Sequence, residues 1–105
     1  MKHVIYRAHP IKNKNKTLYV GRTCQDLEYY VNKRNRECFI SNPSSRRPLF
    51  IFMRKKYKNI QGVRENVTWE VIENVHSNVH VQRREQYWIN KLNPILNARN
   101  ELLLL

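Results

Sequence analysis

The segment VQRREQYWINKL (81–92) constrains the fold more than any other stretch of this chain. Val81, Glu85, Trp88 and Leu92 recur at spacings of four, three and four, with Ile89 beside them. That period predicts a helix from about Val79 to Leu92 with one buried face. Asn93-Pro94 stops it, because the residue before a proline is pushed out of the helical region. Glu85 falls inside the apolar stripe, where a carboxylate is costly unless it is paired, protonated or bound to a cation.

The remaining segments predict what this helix packs against. HVIYRA (3–8) and TLYVG (17–21) are rich in β-formers and read as two strands of a hairpin, joined by the polar, basic loop KNKNK (12–16). Gly21 is one of only two glycines, which marks either a backbone position that tolerates no side chain or a positive-φ corner. Thr23-Cys24-Gln25-Asp26 has capping-box spacing and predicts a helix start. Leu27, Tyr30, Val31 and Arg34 share its inward face, with Tyr29, Lys33 and Arg36 on a neighbouring one. SNPSSRRP (41–48) is a loop by composition, and Pro48 opens a second helix whose stripe is Leu49, Phe52, Met53 and Tyr57. KNIQG (58–62) ends that helix. TWEVIENV (68–75) is a third strand, with Trp69, Val71 and Glu73 expected on one side. The result is a single α+β domain over residues 3–97, a small mostly antiparallel three-stranded sheet flanked by three main helices in the order ββα-α-β-α. Residues 98–105 form a short tail, whose leucines are expected to pack on the domain or serve self-association.

Charge narrows the class of partner. Twenty Lys and Arg against eight Asp and Glu leave a formal net charge of +12, and a polyanion relieves self-repulsion of that size. Nucleic acid, DNA foremost, is the expected partner; no apolar run is long enough to span a bilayer and no long basic amphipathic helix suits its surface. Arg34, Arg46, Arg47, Arg54, Lys55, Lys56 and Lys58 are the candidate backbone contacts. No small-molecule substrate is implied. Cys24 and Cys38 read as two reduced thiols, and with no secretory pattern at the start the expectation is an intracellular protein.

Several short motifs coincide in order: Val4-Ile5-Tyr6, then Tyr19-Val20-Gly21, then Glu85-Gln86-Tyr87-Trp88-Ile89 with Leu92-Asn93-Pro94-Ile95-Leu96-Asn97. In combination they resemble the GIY-YIG nuclease domain, from residue 4 to about 97, with Val where the family name has its first glycine. The resemblance implies an endonuclease that hydrolyses phosphodiester bonds in DNA with one divalent metal ion, Mg²⁺ or Mn²⁺. It places Glu85 as the metal ligand, Tyr19 as the base that activates water, Tyr6 as its orienting partner, and Asn97 as an organiser of the local backbone. Without a base-reading module such a domain is expected to cut with low sequence preference, or to depend on a targeting partner. From the residues alone, a salt bridge from Glu85 to a basic neighbour and two strand tyrosines packing on a sheet account for the same pattern.

One expected residue is missing. The family pattern wants an arginine on the first helix, and counting ten positions from Tyr19 reaches Tyr29. Removing a donor aimed at developing charge costs on the order of 10²–10³ in rate. Lys33, one turn further on, and Arg22, directly after Gly21, are the candidate substitutes, with Arg34 adjacent but on the core-facing stripe. The alternative function is a degenerate module of the same fold that binds DNA or RNA without cleaving it.

Overall fold

The computed structural model describes residues 2–76 and 78–97. The tail at 98–105, with its leucines, lies outside the described residues. In chain order the elements are β1 (His3–Pro10), β2 (Tyr19–Thr23), α1 (Leu27–Arg36), a π-helical turn (Glu37–Ser41), α2 (Pro48–Tyr57), α3 (Ile60–Asn66), β3 (Val67–Val75) and α4 (Val81–Leu92). The strands form one antiparallel sheet in the order β2-β1-β3, an α+β architecture as expected.

The sheet is covered on both sides, and strand alternation decides which residue faces which layer. Ala8, Leu18, Val67 and the half-buried Trp69 pack with Leu49, Phe50, Met53 and Val63 of α2 and α3. Ile5, Val20, Val75 and Ile72 pack with Val81, Trp88, Ile89 and Leu92 of α4. The stripe in 81–92 is therefore a core face, as its period predicts. Among the described residues no helix is long and apolar enough to cross a membrane.

Three local expectations are revised, and one open alternative is resolved. The first helix begins after Asp26, whose carboxylate accepts from the Tyr29 backbone N–H at 3.2 Å, while Thr23 accepts from the Gln25 N–H in a turn of its own. Asp is a strong N-cap in its own right, so the box with Thr23 is not used. The KNIQG segment does end α2, at the left-handed Lys58 (φ 70°), but it also starts another helix. Asn59 caps α3 by accepting from the Gly62 N–H at 2.7 Å, which brings the helices among the described residues to four. Finally, Trp69, Val71 and Glu73 do not share a face. Val71 pairs with Tyr6 but Glu73 pairs with Ile5, so Ile72 is an extra residue in a β-bulge. The bulge turns Glu73 to the α4 side, where it accepts from Arg84 and from the Trp88 indole at 2.9 Å. Of the two readings open for Gly21, close approach is the one that applies, because its φ is not positive.

Candidate active site

β2 is an edge strand, and its outer backbone is closed by a side chain. Asn97, almost fully buried, accepts from the Val20 N–H at 3.0 Å and donates to the Val20 carbonyl at 2.8 Å. An amide is the side chain that can satisfy both groups of one residue at an edge. The backbone of Leu96 adds a bond to the Leu18 carbonyl at 2.9 Å. The chain after α4 is thereby tied along β2, and α4 itself is held close to that edge.

A pocket of about 200 Å³ opens there, between the start of α2 and the flank of α4. Tyr19, Arg47, Leu49, Glu85, Ile89 and Asn97 are among its walls. Tyr19 belongs to the α2 face of the sheet and Glu85 to the helix on the other face. They meet because β2 is the last strand, so both side chains reach around one edge.

Tyr6 lies behind this pocket and not in it. Its ring, 2% exposed, is enclosed by Tyr19, Tyr30 and Trp69 at centroid distances of 6.1, 5.6 and 6.1 Å. Gly21 makes the room: a Cβ there would sit 2.5 Å from the Tyr6 hydroxyl oxygen and 2.8 Å from the Tyr19 ring. The Tyr6 ring packs beside that of Tyr30, whose hydroxyl accepts from Arg34 Nε at 2.9 Å; Arg34 also donates to Glu37 at 2.8 Å. The two phenols of the motif are thus adjacent, but only Tyr19 opens on the pocket.

Electrostatics hold both phenols neutral. Burial raises the pKa of Tyr6 well above the ordinary tyrosine value, and the neighbouring Tyr19 and Tyr30 add to this. Burial also raises that of Tyr19, offset in part by the charge of Arg47 and a hydrogen bond from it, with Glu85 acting in the raising direction. Arg47 therefore does not by itself favour a Tyr19 phenolate. The desolvation of a phenol outweighs a single guanidinium.

The candidate cations separate into distinct groups. Arg47 is in the pocket, against Tyr19. Arg22 is exposed and shares the α4 side of β2 with Val20, across the sheet from Tyr19. Lys33 is exposed on α1 and is not among the residues that line the pocket. Neither therefore lines the pocket with Tyr19 and Glu85. Arg34 is turned inward to Tyr30 and Glu37, and Arg54 is half-buried, donating to the Cys38 carbonyl at 3.2 Å and to the Ser45 carbonyl. These two arginines tie elements together, which revises their place among the surface contacts. Arg46, Lys55, Lys56 and Lys58 are exposed, as a polyanion-facing surface requires.

Tyr30 and the pocket position of Arg47 are the two features that sequence reasoning missed. The i, i+4 spacing of Tyr30 and Arg34 was a signal for the first. The second lay in Arg47-Pro48: proline at the first helical position makes the preceding residue the N-cap.

The donor set suits one kind of metal ion. Glu85 offers one half-buried carboxylate at the pocket wall, and among the described residues no three His, Cys, Asp or Glu cluster to cage an ion. Mg²⁺ takes one or two carboxylates and completes its shell with water and phosphate oxygens, so the residues fit a hard, largely hydrated cation. They do not fit a structural zinc.

No family model, curated protein or solved structure matches this chain.

Proposed function

We propose that the pocket at the β2 edge hydrolyses phosphodiester bonds of nucleic acid, DNA foremost, in the manner of the GIY-YIG nucleases that the motifs resemble. The observation that carries the reading is the convergence of Tyr19 and Glu85, from opposite faces of the sheet, on one pocket. Glu85 would hold a single Mg²⁺ or Mn²⁺, which when bound supplies positive charge to the phosphate oxygens. The Tyr19 hydroxyl would orient the attacking water; to accept its proton the phenol must first lose its own, against the effect of burial. Tyr6, its neutral phenol packed beside Tyr30, would position the Tyr19 ring from behind. In the reaction water oxygen bonds to phosphorus, the bond from phosphorus to the 3′ oxygen breaks, and a proton passes to that oxygen. Exposed Arg46, Lys55, Lys56 and Lys58 would follow the flanking phosphates without reading sequence.

A second reading has its own support. Tyr29 is 59% exposed at the position where the resembled family has an arginine, and burial keeps Tyr19 protonated. Both favour a module that binds nucleic acid without cutting it. Nicking of supercoiled plasmid in Mg²⁺ or Mn²⁺, wild type beside Glu85→Ala, separates the two. Cleavage that disappears with Glu85→Ala supports the nuclease; salt-sensitive binding with no cleavage in either cation supports the binding module.

A further inference from the structure

We propose that Arg47 is the residue that receives the scissile phosphate, its guanidinium bridging the Tyr19 hydroxyl and the phosphate from the start of α2. This rests on the nuclease reading of the pocket. Among the described residues that line the pocket, Arg47 is the one with a basic side chain.

Its position is fixed by three local features. Pro48 at the first helical position sets where α2 begins, and Arg47, extended at φ −60° and ψ 133°, is the residue before it. The guanidinium lies over the ring of Phe50, a fully buried residue, at 5.1 Å from its centroid. Its charge also acts on the Tyr19 hydroxyl, which opens on the same pocket and whose pKa it lowers in part. Ring stacking uses the flat face of a guanidinium and leaves its N–H edges for acceptors, and five N–H groups in a planar fork exceed what one phenol oxygen can take. The edge geometry suits two oxygens of a phosphate.

Two other half-buried arginines are otherwise engaged. Arg34 gives Nε and Nη1 to Tyr30 and Glu37, and Arg54 gives Nη1 and Nη2 to backbone carbonyls. The vacancy at Tyr29 on α1 is thus answered from a different element, with the cation displaced to the loop before α2.

The test compares wild type with Arg47→Ala, Arg47→Lys and Glu85→Ala. Plasmid nicking is measured in Mg²⁺ and Mn²⁺, and DNA affinity separately in Ca²⁺ by fluorescence anisotropy. Arg47→Ala is expected to lower kcat by ~10²–10³ while weakening binding by no more than about tenfold, and added guanidinium ion should restore part of the rate. Arg47→Lys, which keeps the charge but not the fork, should bind like wild type and still cleave about tenfold more slowly. A folded Arg47→Ala that cleaves within about threefold of wild type overturns the assignment. If Arg47→Ala does not fold, wild-type kcat in Arg47→Lys overturns it instead. Should Glu85→Ala abolish cleavage while both Arg47 variants cut normally, the Arg47 role alone falls. If wild type cleaves in neither cation, the nuclease reading fails and the Arg47 role fails with it.

Discussion

The Tyr6 hydroxyl rests against the backbone of Gly21, so near that a Cβ at Gly21 would come within 2.5 Å of its oxygen. The same Cβ would meet the Tyr19 ring at 2.8 Å, so one missing side chain accommodates both phenols. The Tyr6 ring is enclosed by Tyr30 and Trp69, with little room to retreat. Gly21→Ala is expected to cost about 1–3 kcal/mol in unfolding by denaturant, although alanine suits a strand better than glycine does. On the nuclease reading, plasmid cleavage should also fall by more than the loss of folded protein explains, because Tyr19 is one of the two rings displaced.

Glu73, carried to the α4 side by the bulge, accepts from Arg84 Nη2 at 2.6 Å and from the Trp88 indole. Arg84 lowers its pKa below the ordinary glutamate value, as Arg7 does for Glu70 across the β1–β3 ladder. A depressed carboxyl pKa contributes stability that is present above the unfolded value, about 4.3, and is lost as pH falls through the folded one. Denaturant midpoints should therefore decline below about pH 4.3, and Glu73→Gln should flatten that decline. The effect is modest because both partners are partly exposed. An identical acid profile in Glu73→Gln would remove this pair from the account.

At the alkaline end the sign reverses. Tyr6 and Tyr19 have pKa values raised by burial, so the neutral phenols stabilise the fold below the unfolded value of about 10. That contribution disappears as pH rises through the folded values. Titration of tyrosine absorbance should show late-ionising phenols whose signal appears together with loss of the circular dichroism spectrum. Tyr19→Phe should remove one late phenol and leave the fold intact at neutral pH. Normal ionisation of every phenol in the folded protein would contradict the enclosed arrangement.

How much of this was legible depended on the kind of signal. The α4 stripe, the three strands and Pro48 at the head of α2 follow from period and capping, which act within a few residues. The bulge at Ile72 left no such mark, because alternation continues through the sequence while the pairing slips by one residue. Glu73 was therefore assigned to the wrong face. Tyr6, Tyr19 and Glu85 were singled out by motif, but their relation was not: that Tyr6 sits behind Tyr19 depends on Trp69 and Tyr30 closing over it. Spacing from Tyr19 points along α1 to Lys33, and adjacency to Gly21 points to Arg22 on β2. Arg47 reaches Tyr19 through tertiary packing, which no spacing from Tyr19 encodes.

The same separation of cations by burial makes Arg54 and Arg46 an informative pair. Arg54 donates to the Cys38 carbonyl and the Ser45 carbonyl, joining the π-helical turn and the following loop to α2. Its removal leaves two backbone acceptors without their charged donor, for which about 1–3 kcal/mol is the usual cost. Arg46 is exposed in that loop, and truncating it should leave stability within about 0.5 kcal/mol. DNA binding should show the opposite pattern. If Arg46 meets a phosphate, Arg46→Ala weakens binding uniformly across sequences and reduces the slope of log affinity against log salt by about 0.9. Arg54→Ala, measured at a temperature where it stays folded, should keep the wild-type slope. A loss of slope in Arg54→Ala, or none in Arg46→Ala, would mean that burial does not sort these arginines into fold-holding and phosphate-facing groups.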